Sequence, residues 1–192
     1  MLLMAHVDNT LRYAAFGWMM LVGFFGGAFV AGETFDDPGG WPAVLMVASW
    51  LLPLLGLAAL ALLRTRIAEG VFVAATVVVA LFTLADSAFG IIPRDDWGPV
   101  AAITVFALAI ALAFLGLRRP ALAGILLLGV GTAQAAAVLL VRVGVGGDRV
   151  FGGGSSSIVI VPVLVGGSLY VLAGRRGPGT IGRRPPSHLS RA

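Results

Sequence analysis

The sequence predicts an all-α fold, a polytopic transmembrane helical bundle of six helices arranged as three hairpins, with the N- and C-termini in the cytoplasm. Three observations predict it. Of 192 residues, 59% are hydrophobic and 11% charged, and the mean hydropathy is +1.01. Apolar runs long enough to cross a bilayer recur six times, and arginine gathers on one side of them. A soluble domain carries about 25% charged residues, so a water-facing surface is excluded. Disorder is excluded by the same hydrophobicity, and a disulfide-stapled module by the absence of cysteine. The net charge of +4 is no nucleic-acid signal, because its placement follows the apolar runs.

A crossing needs roughly 20 apolar residues at about 1.5 Å each. The runs are Tyr13 to Ala31, Pro42 to Leu63, Gly70 to Phe89, Pro99 to Leu117, Ala121 to Val141, and Ser155 to Ala173. Helices are required because hydrocarbon offers no partner to open N–H and C=O groups, and the alternating ten-residue pattern of a β-barrel is missing. Residues 1–12 are then a cytoplasmic N-terminal segment, 13–173 the six-helix domain, and 174–192 a basic, disordered cytoplasmic tail. The first run resembles a secretory signal, but it is too long and Phe29 spoils the cleavage site, so it reads as an anchor. Between the fifth and sixth runs, the glycine-rich stretch Gly144 to Gly154 predicts a mobile outer loop.

Orientation follows from arginine. All 13 basic residues are Arg. With the N-terminus inside, Arg12, Arg64, Arg66, Arg118, Arg119, Arg175, Arg176, Arg183, Arg184 and Arg191 are cytoplasmic, against Arg94, Arg142 and Arg149 outside. Glu33, Asp36, Asp37, Asp95, Asp96 and Asp148 fall on the outer side. Five of the arginines follow Gly174, where they predict contact with anionic lipid headgroups.

A two-helix unit recurs. Trp41 and Trp97 are 56 residues apart, Pro42 and Pro99 57 apart, each pair preceded by Asp-Asp. Asp and Pro suit a helix N-terminus, and Trp the headgroup level. Convergence on these choices and internal duplication both account for the pattern. The third unit lacks the Asp-Asp-Trp opening. Gly23 with Gly27, and Gly131 with Ala135, have the small-xxx-small spacing of close helix contacts. Pro53 and Pro162 each delete one helical hydrogen bond. Ordinary kinks and a broken-helix binding site both fit them.

Polar groups within the spans define the candidate site. Thr76, Thr83, Asp86 and Ser87 share one face of the third helix, which must therefore face protein or water. By helical rise Asp86 lies about 24 Å and Gln134 about 20 Å along their crossings, so the two side chains are level enough to meet. Arg142 lies two turns beyond Gln134. Asp86, Gln134, Arg142 and Thr83 are either an outward-facing polar site for a proton or cation, or a hydrogen-bonded cluster that joins the third and fifth helices. Glu33, Asp36, Asp37, Asp95 and Asp96 gather on adjacent outer turns, as solvated acids at helix N-termini or as oxygen ligands for a hard cation.

Catalytic chemistry is not legible. Cysteine and lysine are absent, and His6 and His188 are terminal. Cys/His metal sites, paired-histidine haem, phosphate loops and a lysine Schiff base are thereby excluded. Gly152-Gly153-Gly154-Ser155 lacks the order of a nucleophile elbow. The reading is a structural, accessory or partner-binding membrane protein without catalytic activity or cofactor. Its partners are the bilayer and either another membrane protein or a second copy. The alternative is a small transporter or ion-translocating subunit using the Asp86 region, and a lipid-modifying enzyme comes third.

The run Leu115-Gly116-Leu117-Arg118-Arg119-Pro120-Ala121-Leu122-Ala123-Gly124, with Trp97-Gly98-Pro99 before it, resembles an uncharacterised family of small multi-pass membrane proteins from high-GC Gram-positive bacteria. The resemblance covers residues 36 to 135. It implies a bacterial plasma membrane and carries over no activity and no functional residues.

Overall fold

The computed structural model describes residues 2–36, 40–89, 100–142 and 154–176, and every described residue but a few in tight turns is helical. The helices are α1 (Leu2–Asp36), α2 (Gly40–Leu63), α3 (Thr65–Phe89), α4 (Val100–Gly116), α5 (Pro120–Arg142) and α6 (Gly154–Arg176). Each coincides with most or all of one of the six apolar runs. Among the described residues, three stretches are long and apolar enough to cross a membrane: Gly40–Leu63, Thr65–Phe89 and Pro120–Leu140. The glycine-rich stretch 144–153, the second Asp-Asp-Trp opening and the tail from 177 lie outside the described residues.

Two helices extend furthest beyond their apolar runs. Helix α1 begins at Leu2, since no Gly or Pro interrupts the chain before Gly17. Its 35 residues extend about 52 Å, well beyond a 30 Å hydrocarbon layer. Helix α3 begins at Thr65, five residues before the apolar run, because Arg, Ile, Ala and Glu are adequate helix formers. Only Arg64 separates α2 from α3. Its N–H donates to the Leu60 carbonyl at 2.9 Å, while its carbonyl accepts the N–H groups of Ile67 and Ala68 at 3.0 and 2.9 Å. The Thr65 hydroxyl reaches back to the Ala61 carbonyl at 3.3 Å.

Helix α4 is the axis of the bundle. It packs against all five others, and nearly every residue from Val105 to Leu115 is buried. A helix apolar on all sides finds its place in such a centre. Sequence neighbours are not always the closest partners. Helices α5 and α6 pack most extensively, but α1 leans on α6 more than on α2, α2 on α4, and α3 on α5.

The α5–α6 contact is built on four glycines at heptad spacing. A Cβ on Gly124 would lie 2.6 Å from the Val171 backbone nitrogen and 2.8 Å from the Gly167 carbonyl oxygen. One on Gly131 would strike Leu164, one on Gly167 would crowd Leu127 and Leu128, and one on Gly174 would meet the Ala121 backbone. Gly124 and Gly131 thus mark the tight seam, with Ala135 only half-buried. In α1, Gly23 receives Ile110 of α4 and Gly26 receives Phe106, whereas Gly27 has only ordinary contact with Trp50 at 3.7 Å. The close pair is Gly23 with Gly26, because those two positions face α4.

Helix direction follows from these contacts. Ala121 lies against Gly174, Gly116 against Tyr170, and Met19 against Gly166. An ion pair joins Glu69, near the start of α3, to Arg119 before α5. Accordingly α3 and α5 run one way, α4 and α6 the other.

Candidate functional site

Helix α3 positions the polar stripe. Its buried residues Ala68, Phe72, Thr76 and Thr83 lie along one side, the side that packs on α5. Thr76 and Thr83 are 6% and 7% exposed, as the helical spacing predicts for a face turned inward. Asp86 and Ser87 continue the stripe and are half-buried.

Of the four predicted site residues, the fold joins Thr83 and Gln134. The Gln134 Nε2 donates to the Thr83 Oγ1 at 3.5 Å, at the long limit for such a bond. Both side chains are buried, so the amide and the hydroxyl satisfy each other where water does not compete. The Thr83 carbonyl also accepts the Ser87 hydroxyl at 2.8 Å, a local bond within α3. Asp86 stands one turn beyond Thr83. Arg142 is the last residue of α5, and its side chain is outside the described residues. Thr83 thus gives Gln134 a buried partner. An uncharged hydroxyl can be buried there at lower cost than a carboxylate.

One hydroxyl in this stripe lacks a mate. Thr76 Oγ1 is buried and has no hydrogen-bond partner. Its level on α5 is apolar: Leu127, seven residues before Gln134, is fully buried. The polar bond between α3 and α5 thus lies at the Thr83 end, opposite the end where Glu69 meets Arg119.

Three polar contacts were not legible in the sequence. The Arg119 Nε lies 2.9 Å from Glu69 Oε1. The Tyr170 hydroxyl donates to the Ala113 carbonyl at 2.8 Å. The Trp18 indole donates to the Pro162 carbonyl at 3.1 Å, binding α1 to α6 where proline interrupts the latter's ladder. Spacing within one helix cannot reveal such pairs, because each joins residues far apart in the chain. Among the described residues no three His, Cys, Asp or Glu converge to hold a metal. Of the five outer acids, Asp37, Asp95 and Asp96 lie outside the described residues, and the side chains of Glu33 and Asp36 do too.

No family model matches the chain, and no curated protein or solved structure is significantly similar to it. What the fold defines, among the described residues, is an all-helical protein with three helices long and apolar enough to cross a membrane.

Proposed function

We infer that the chain is a multi-pass integral protein of a bacterial plasma membrane, crossing six times as three hairpins with both ends cytoplasmic. It acts through packing and partner binding rather than catalysis. The observation that carries this reading is an inversion of the usual surface. Leu52, Leu55, Val77, Val78, Leu81 and Phe82 are exposed along α2 and α3, whereas Thr76, Thr83 and Gln134 are buried. Apolar surface on this scale is rare on soluble monomers, while in lipid polar groups turn inward. Helices α4 and α6 suit the same reading because they pack within the bundle.

The absence of native cysteine makes the test clean. In intact cells, Asp36→Cys should react with an impermeant maleimide, and Thr65→Cys only after permeabilisation. The reverse pattern overturns the orientation. A purified chain that stays dispersed and monomeric in buffer without detergent overturns the membrane reading itself.

A second reading, ion or proton translocation, draws on the half-buried Asp86 one turn from the Thr83–Gln134 bond. Intramembrane acids are functional candidates because burying their charge is costly. Asp86→Asn should then abolish ion flux in proteoliposomes while leaving expression intact. Unchanged flux, or none in the parent chain, leaves the packing role.

A further inference from the structure

The packing register gathers arginine at one end of the bundle. Arg12 lies on α1, Arg64 and Arg66 at the α2–α3 joint, Arg118 and Arg119 before α5, and Arg175 and Arg176 at the end of α6. Every helix thus has arginine at or near this end. The opposite end bears Glu33, Asp36 and Asp86, with Arg142 as its one arginine among the described residues. At the basic end the described acids are Asp8 and Glu69, and Glu69 is engaged by Arg119. Arg66, one turn before Glu69, and Arg118, beside Arg119, are both exposed on either side of that ion pair.

We propose that this end is a collar that binds the phosphates of anionic lipid headgroups, with Arg66 and Arg118 as principal contacts. The inference rests on the membrane reading above and extends it from the tail to the folded bundle. Two features select lipid over a soluble anion. Leu63 is 79% and Ile67 57% exposed, immediately beside Arg64 and Arg66. Apolar side chains bordering guanidinium groups match the boundary between acyl chain and phosphate. The basic residues are also all arginine, whose planar fork pairs phosphate oxygens two at a time. Because the collar follows the helix ends around the bundle, it meets headgroups on several sides.

The test uses the full chain in mild detergent, with dioleoylphosphatidylglycerol added against an equal amount of dioleoylphosphatidylcholine. The anionic lipid should raise the apparent melting temperature by about 2–4 °C over the zwitterionic one, and added salt should shrink the difference. Arg66→Gln with Arg118→Gln should remove at least half of that rise. Replacing Arg183, Arg184 and Arg191 by Gln in the full chain should preserve most of it. Equal response to both lipids, or a rise insensitive to salt, overturns the collar without touching the membrane reading. So does a rise that survives the double variant or vanishes with the tail variant. Inorganic phosphate that reproduces the full rise identifies a general anion surface and overturns the lipid assignment. Should the double variant fail to fold, the two lipids, salt series and tail variant on otherwise intact chains still decide.

Discussion

The α5–α6 pair and the α2–α3 pair are each two helices joined in sequence, yet they are built on opposite principles. In α5–α6 the backbones approach until glycine is the only residue that fits, with Gly124 and Gly167 facing each other across the seam. In α2–α3 the helices diverge from a one-residue joint, each leans on a different part of the bundle, and their outer faces carry large apolar side chains. The glycines there, Gly56 and Gly70, have open space where a side chain would go. The same residue type therefore has two meanings in one chain. In α5–α6 it permits contact between helices, and in α2–α3 it only weakens the helix that holds it. On the membrane reading, apolar residues alone do not bind one helix to another, so α5–α6 is the tightest pair and α2–α3 a more loosely held edge of the bundle.

The largest break should come from Gly124→Leu, which drives a side chain into the α6 backbone. Overpacking typically costs about 1–3 kcal/mol and occasionally more; here the side chain meets backbone that cannot rotate aside, so the cost falls at the upper end and the variant should fail to accumulate or melt far below the parent chain. Next is Val78→Asp on the outer face of α3, where Val78 is 65% exposed. In lipid it should cost about 2.5–3.5 kcal/mol at mid-depth and reduce insertion in a glycosylation-reporter assay. A helix facing water would accept the change without loss.

A smaller effect is predicted at the polar bond between the regions. Gln134→Leu and Thr83→Val in a double-mutant cycle should couple by about 0.6–1 kcal/mol. Coupling near zero would mean that the long Gln134–Thr83 bond contributes nothing. The smallest change should be favourable: Gly70→Ala meets no neighbour and should stabilise α3 by up to about 1 kcal/mol, read as a raised melting temperature. If Gly70→Ala destabilises as Gly124→Leu does, the distinction between the two pairs is lost.

The sequence exposes what one helix decides by itself. Six helices, the inward stripe of Thr76 and Thr83, and most helix ends follow from length, spacing and punctuation along the chain. What it hides is pairing. Nothing in Gly23-x-x-x-Gly27 says that Gly26 rather than Gly27 faces Phe106, because that depends on how α1 is rotated against α4. Rise along the helices places Gln134 near the level of Asp86, but that rotation brings the Thr83 hydroxyl to the amide is visible only in the fold. The arginines at the helix ends were legible as a count on one side. The engagement of Arg119 by Glu69, which leaves Arg66 and Arg118 exposed, required the fold.

The lone residue between α2 and α3 has a mechanical consequence. Each residue turns an α-helix by about 100°, and a joint this short has little slack to absorb a change in length. Adding or removing one amino acid at position 64 would swing the whole of α3 about its axis like a key in a lock. Thr76 and Thr83 would then turn about 100° away from their present face, and Val77 on removal or Ala75 on addition would take the place of Thr76, so the spacing at this corner sets which side of α3 meets the rest of the molecule.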